Sequence, residues 1–412
     1  MKREIALMFL ILFVLAGCGG NQQSTDDLIT VDVTASYPKK ELILQDVFDV
    51  EYIPLETTDE FVNSGYVQAI GKDVIIVRNS RGADGNIFIY DRKGKALRKI
   101  NRRGQGPEEY TNVTGEITFD EESGEMYINC YGLKKILVYD LFGNFKRSLG
   151  YVEGGEESGR FKTDIGYKPL YNFDQDHLIG HDWTSGRNFA GREIDVEPRN
   201  IIGIISKQDG SLIKEIEIPF EKKVFQVVFP PTSGGVYGII YNSGLVPYHD
   251  SWILTEPSAD TIYSYTADHK MKPFIVRTPS VQSMNPETFL FPGVLTDRYY
   301  FMQTVKKEID ETEPRSNLLE TELVYDRQEK KTFEYIIYND DFTSKRPINN
   351  LVDDIFILTV INNDEIAFAE KIEAYDLVEA YKNGQLSGRL KEIAANLDEE
   401  DNPVIMLAKH KK

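Results

Sequence analysis

The chain has only two cysteines in 412 residues, Cys18 and Cys130. A disulfide framework is therefore excluded once either thiol is used for something else, and stability must come from buried core. Histidine is almost as scarce, with five in the whole chain, which argues against a His-rich catalytic centre. Basic charge is short as well: 47 Lys and Arg stand against 66 Asp and Glu, a net charge of −19. Such a chain has no electrostatic footprint for nucleic acid, and anionic lipid headgroups repel it. Solubility is the ordinary reason for acidity of this kind. Long apolar runs are missing too, since no stretch reaches 18 consecutive apolar residues. Nothing follows the Gly-x-Ser-x-Gly, His-Glu-x-x-His or dinucleotide-binding patterns, and no cofactor motif is present.

What is present begins at the N-terminus. Met1-Lys2-Arg3-Glu4 precedes an apolar run from Ile5 to Leu15. As a helix that run rises about 16 Å, too short for a hydrocarbon core of roughly 30 Å, so it reads as the h-region of a signal peptide. It ends in Leu15-Ala16-Gly17-Cys18, which resembles the lipobox of bacterial lipoproteins. The resemblance implies a signal peptide at 1–17, thioether lipidation of Cys18, and a lipid bilayer as the partner of the acylated cysteine. Several acyl chains anchor far more firmly than one. An ordinary signal peptide with a chance cysteine is the plain alternative. Residues 18–27 read as a polar tether. Gly19 after Cys18 points to the outer membrane by the sorting rule of enteric bacteria, and both the periplasmic and the surface face stay open.

Residues 28–412 read as short β-branched and aromatic runs separated by Gly, Asn, Asp and Pro turns. One pattern recurs: a strand ending near Tyr or Ile, a polar turn, then a second strand. The copies are Ile87–Leu97, Ile136–Phe145, Gly203–Ile213, Thr261–Met271 and Glu322–Phe333. The first two carry Tyr-Asp-x-x-Gly, where glycine supplies a positive φ. A period of roughly 50–65 residues fits one four-stranded sheet with its loops, and repeated antiparallel hairpins favour a β-propeller. Residues 350–412 supply a sixth unit, with Asp354–Val360 and Ile366–Ala369 as strands. Ring closure is expected to pair a strand near Leu28–Val33 with Val404–Ala408. The expectation is an all-β, six-bladed β-propeller with a short helical insertion at 375–397, where apolar residues take helical spacing interrupted at Asn383-Gly384. Cys130 lies in a strand-like run and reads as a buried small residue, not a nucleophile.

Asn101-Arg102-Arg103-Gly104-Gln105-Gly106-Pro107-Glu108-Glu109-Tyr110 follows the first hairpin. It resembles the Gly-x-Gly-Pro-x-Glu-Tyr signature of the six-bladed β-propeller lipoproteins of Bacteroides and relatives. Ile53-Pro54-Leu55-Glu56-Thr57 and Asn402-Pro403-Val404-Ile405-Met406-Leu407 are similar to that family's early strand exit and terminal strand. The resemblance implies an NHL-like propeller in the cell envelope; propellers of that type are mostly binding platforms. It carries over no established activity.

Candidate ligand contacts are Arg102, Arg103 and Tyr110 on the signature loop, set against a tight turn whose Arg and Glu pair locally. Gly104-Gln105-Gly106-Pro107 lacks the Gly-Lys-Ser/Thr ending of a phosphate loop. Trp183 and Trp252, with Tyr241 and Tyr248, are candidate platforms for sugar rings, set against core packing. His177 and His181 share one face of a strand and are the candidate ligands of a divalent metal, the one cofactor reading left open. Asp398-Glu399-Glu400-Asp401 reads as a solvated turn. The leading expectation is a non-enzymatic lipoprotein whose propeller face binds a glycan, a peptide or an envelope protein. The alternatives are a metal-dependent propeller hydrolase or lyase, and an accessory subunit of an outer-membrane uptake complex.

Overall fold

The computed structural model describes residues 28–79, 82–113, 115–151, 167–182, 202–224, 226–228, 238–239, 244–309, 318–348, 351–352 and 365–411. The expected signal peptide, Cys18, the expected tether and the expected strand 354–360 lie outside them. The β-rich sequence folds into six blades of a propeller. Blade 1 is Tyr66–Ile70, Val74–Arg78, Asn86–Asp91 and Ala96–Asn101. Blade 2 is Ile117–Asp120, Glu125–Cys130, Lys135–Asp140 and Phe145–Gly150. Blade 3 is Tyr167–Asn172, His177–Asp182, Ile202–Ser206 and Leu212–Ile216. Blade 4 is Leu245–Tyr248, Ser251–Leu254, Thr261–Thr266 and Met271–Thr278. Blade 5 is Thr288–Leu295, Tyr299–Lys306, Leu319–Asp326 and Lys331–Tyr338. Blade 6 joins Ile366–Ile372, Val404–His410 and Phe48–Pro54.

The first strands are innermost. That of blade 2 touches those of blades 1 and 3, and the first strand of blade 5 touches that of blade 4. Middle strands bury both faces, as Ile75, Ile76 and Val77 do at 0% exposure, because each blade is sandwiched between two others. The apolar core is accordingly divided by seam. One large cluster fills each gap between successive blades, including the gap between the sixth and the first.

All five repeat copies fall on the hairpin between the third and fourth strands of blades 1 to 5. In blade 1 the Asp91 carboxylate accepts the N–H groups of Lys93 and Lys95 (2.8 and 2.9 Å), and Asp140 does the same for Phe142 and Asn144 in blade 2. Gly94, Gly143 and Gly210 take φ of +82°, +77° and +80°, whereas His269 and Lys330 hold the left-handed position in blades 4 and 5. The glycines are also needed for space. A Cβ on Gly94 would stand 2.0 Å from the Pro54 carbonyl oxygen, and one on Gly210 would stand 2.5 Å from that of Gly150. Each turn thus abuts the outer strand of the preceding blade.

Ring closure differs from the expectation. Val404–His410 pairs with Phe48–Pro54 in antiparallel register, not with residues near Leu28–Val33. Ile29–Asp32 instead adds in parallel to the outer strand of blade 4, and Lys39–Ile43 adds in parallel to that of blade 5. The outer edges of a propeller are open strand edges with unpaired backbone groups, so the N-terminal segment belts two of them before closing the third. Lys40 fastens the belt, with Nζ 2.7 Å from the fully buried Asp326 carboxylate. The helical insertion resolves into Ala374–Lys382 and Gly388–Ala394, broken where Gly384 takes φ +68°. Leu377, Ala380, Leu390 and Ile393 pack into the seam of blades 5 and 6, on Phe48 and Phe368 among others. No helix among the described residues is long and apolar enough to cross a membrane.

Gly94 and Gly124 separate strain from contact. Both have positive φ, but a Cβ on Gly124 meets nothing within 4 Å. Gly124→Ala should cost about 1–2 kcal/mol from left-handed strain alone. Gly94→Ala should cost more, roughly 3 kcal/mol or above, because the blade contact also has to give. Urea midpoints of the two variants check the order.

Candidate functional site

The signature loop is a joint between blades 1 and 2. Gly106 N–H donates to the Glu109 carboxylate (2.8 Å), Gly104 N–H donates to the Tyr110 carbonyl, and Tyr110 N–H donates to the Arg102 carbonyl. The Tyr110 hydroxyl donates to Gly85 O and accepts from Arg102 N–H, both at 2.8 Å. Its ring is fully buried and packs edge-on against Tyr139 at 5.9 Å. Burial pushes its hydroxyl up to about 12. Tyr110 is therefore a packing residue, not a ligand contact. Arg102 Nε reaches across to Gly143 O in the next blade (2.7 Å). Arg103 stays exposed, with its Cβ against Gly85.

Gly85 ends the stretch 82–85, whose Asp84 links the joint to a polar cluster at the end of the channel. Tyr66 opens the innermost strand of blade 1, and Arg78 pairs with it at the end of the second strand. The Arg78 guanidinium carbon lies 5.9 Å from the Tyr66 ring centroid, and Lys371 Nζ from blade 6 lies 4.6 Å from the same ring. Lys371 also donates to Ser64 O. From blade 2 the Tyr131 hydroxyl donates to Glu116 (3.0 Å), Asn129 donates to the Tyr131 hydroxyl, and the Tyr151 hydroxyl donates to Asn129. Burial lowers the Arg78 guanidinium pKa, against the support of Glu116, Tyr66, Tyr131 and Asp84. Asp84 would rise through burial, but hydrogen bonds from Asn79 and Asn86 hold it below the usual carboxylate value. Three blades thus bring two cations, two carboxylates and phenol rings, all half-buried, to one mouth. None of these was singled out in the sequence, where the one trace is an arginine closing the apolar strand Val74–Arg78.

A second titratable group sits in the seam of blades 5 and 6. Glu322 accepts from Gln303 Nε2 (2.7 Å) and from the Tyr335 hydroxyl (3.2 Å). Burial pushes its carboxyl up to about 7, the two hydrogen bonds oppose the rise, and Glu320 beside it adds to it.

The other residues singled out in the sequence do not join these clusters. Trp252 is 6% exposed and packs edge-on against Tyr171 at 4.8 Å, between blades 3 and 4, so it is core and not a sugar platform. Tyr248 packs on His249, Phe274 and Tyr300. Trp183 and Tyr241 lie outside the described residues. His177 and His181 do lie on one strand. Four residues of extended chain separate side chains by about 13 Å, so sharing a face does not let both reach one ion. His177 Nδ1 is engaged by Asp174 at 2.8 Å, and the His181 ring lies against Gly244. Among the described residues no three His, Cys, Asp or Glu side chains are grouped to hold a metal. Cys130 is 4% exposed, and burial pushes its thiol up to about 11, the opposite of an activated nucleophile. In the acidic turn, Asp398 N–H donates to Asp401 and Glu399 pairs with Lys382.

Fold and loops together define a six-bladed propeller with a polar channel mouth. The chain belongs to the family described as a domain of unknown function, DUF4934, whose model matches residues 28–409. No curated protein matches the sequence. Among solved structures it is similar to a Bacteroides fragilis protein named as exported, at 13% identity and a TM-score of 0.56, over 94% of this chain and 99% of that one. A DUF4221 member from Bacteroides vulgatus aligns at 12% identity and a TM-score of 0.43, over 72% of this chain and 90% of that one. The first likeness supports the propeller fold along nearly the whole length of both chains.

The Glu322 carboxyl generates a pH prediction. Its folded value of about 7 lies above the ordinary 4.5, so the folded state holds the proton more tightly. The contribution to stability is complete below about pH 4.5 and is lost as pH rises through about 7. Glu322→Gln removes that loss. The variant should therefore gain stability over the wild type from pH 5 to pH 8 in paired urea titrations, and a constant difference would contradict the assignment.

Proposed function

We propose that the chain is an extracytoplasmic lipoprotein, held at the outer membrane through acylated Cys18, whose propeller face binds a glycan, a peptide or an envelope protein. The observation that carries the reading is the channel mouth, where Arg78, Lys371, Glu116, Tyr66 and Tyr131 converge from three blades. Cations, a carboxylate and phenol rings gathered at one end of the ring are the chemistry that holds a polar, hydroxyl-rich ligand. The Leu15-Ala16-Gly17-Cys18 sequence and the exported name of the similar Bacteroides fragilis protein support the compartment. The likeness to NHL-type binding platforms is part of the same proposal.

Two measurements test it. Cys18→Ser should move the protein from the membrane to the soluble fraction and abolish lipid labelling. Panels of glycans, peptides and envelope extracts should then yield a ligand whose affinity falls roughly tenfold or more in Tyr66→Ala and Tyr131→Ala. A Cys18→Ser protein that stays on the membrane would contradict the anchor. A ligand insensitive to both tyrosines would contradict the site.

A further inference from the structure

Arg277 lies near the end of the outer strand of blade 4 and is 5% exposed. Its Nε and Nη1 are buried and donate to nothing. Its Nη2 meets only the thioether sulfur of Met284, at 3.0 Å, a weak acceptor. Among the described residues Asp260 is the one carboxylate that acts on it, yet no ion pair forms between them, and one Asp260 carboxylate oxygen accepts from Val281 N–H. Burial accordingly pulls the guanidinium down to about 10. Two other buried or half-buried cations among the described residues are matched: Lys207 by Asp120 at 2.8 Å and Lys223 by Glu256 at 2.9 Å. A buried charge left unmatched is strongly destabilising, so the Arg277 guanidinium asks for a reason.

The surroundings supply one. Ile253 and Ile275 face blade 5, packed with Leu290 and Met302. Strand alternation puts Thr255 and Arg277, two residues further along, on the same side. The same rule puts Thr288 and Thr304 of blade 5 on the facing side, and both are buried. The seam is therefore apolar through its middle and polar at this end. Thr255 is 3% exposed, and its Oγ1 is also without a partner. A cation and a hydroxyl thus wait unpaired at one end of one seam. Met284, the flexible side chain over the guanidinium, is only half-buried and is its cover.

We propose that Arg277 and Thr255 form an oxyanion site at the seam of blades 4 and 5, beneath Met284, that takes a carboxylate, sulfate or phosphate group. The guanidinium supplies charge-assisted donors and the threonine supplies one hydroxyl. This site does not depend on the channel mouth, which is built by blades 6, 1 and 2.

The test uses the purified full chain in detergent, titrated in parallel with sulfate, phosphate and acetate up to a few millimolar at constant ionic strength set by chloride. Thermal unfolding should rise along a saturating curve for at least one anion, as linkage requires, and the best of the three names the group. Arg277→Met should abolish the saturating response. Thr255→Val keeps the charge and should weaken it roughly tenfold; it serves as the readout if Arg277→Met does not fold. A wild type that responds to none of the three overturns the site. So does a shift that grows without saturating and is equal in the variants, because that is the bulk salt effect.

Discussion

The structure depends on one pairing, that of Phe48–Pro54 with Val404–His410. A propeller blade buries its two faces only against neighbours, so a ring with one open seam leaves two apolar faces in water. The seam between blades 6 and 1 would expose Ile53, Leu55, Ile75, Phe88, Ile405 and Leu407 together. Seven residue pairs running from Val404–Pro54 to His410–Phe48 prevent this by joining the two ends of the chain. The belt before the pairing serves the same end, because Ile29–Asp32 and Lys39–Ile43 cover edges of blades 4 and 5 on the way.

Two sequence fragments that are distant along the chain prove to be halves of this closure. Asn402 donates to the carbonyls of Glu56 (2.9 Å) and Phe61 (2.6 Å), its own N–H donates to Thr57, and Pro403 packs under Gly65. Glu56 in turn binds the first blade, through Gly94 O and the N–H of Ala96. The early Pro-Leu-Glu-Thr exit and the terminal Asn-Pro strand are thus one staple, and the Gly104–Tyr110 signature is a second staple between blades 1 and 2. In this chain these motifs are joints of the scaffold, so they carry fold and not ligand chemistry.

The hairpin repeats were legible because turn chemistry is local: an Asp accepting two N–H groups and a residue at positive φ leave a mark within five positions. The closing strand was not, because Ile29–Asp32 and Phe48–Pro54 have the same β-rich composition and only tertiary register separates them. The sites show the same division. Tyr110 and Trp252 drew attention as aromatics and turned out to be core. Arg78, Glu116 and Tyr131 come from two blades, and only the ring brings them to one mouth with Lys371 of a third. The Arg277 guanidinium looks like any strand arginine until its burial and lack of partners are known. His177 and His181 show the limit of periodicity, which specifies a face and leaves the distance along it unaddressed.

The most direct measurement is hydrogen–deuterium exchange of peptides covering 48–54 and 404–410, compared with the blade 1 core strand 74–78. A ring closed by this pairing predicts that the amides of 48–54 bonded to 404–410, together with those of 404–410 and 74–78, exchange only through global unfolding, with matched protection. Rapid exchange of every amide of 48–54 while 74–78 stays protected would mean that the ring closes some other way, and would contradict the account.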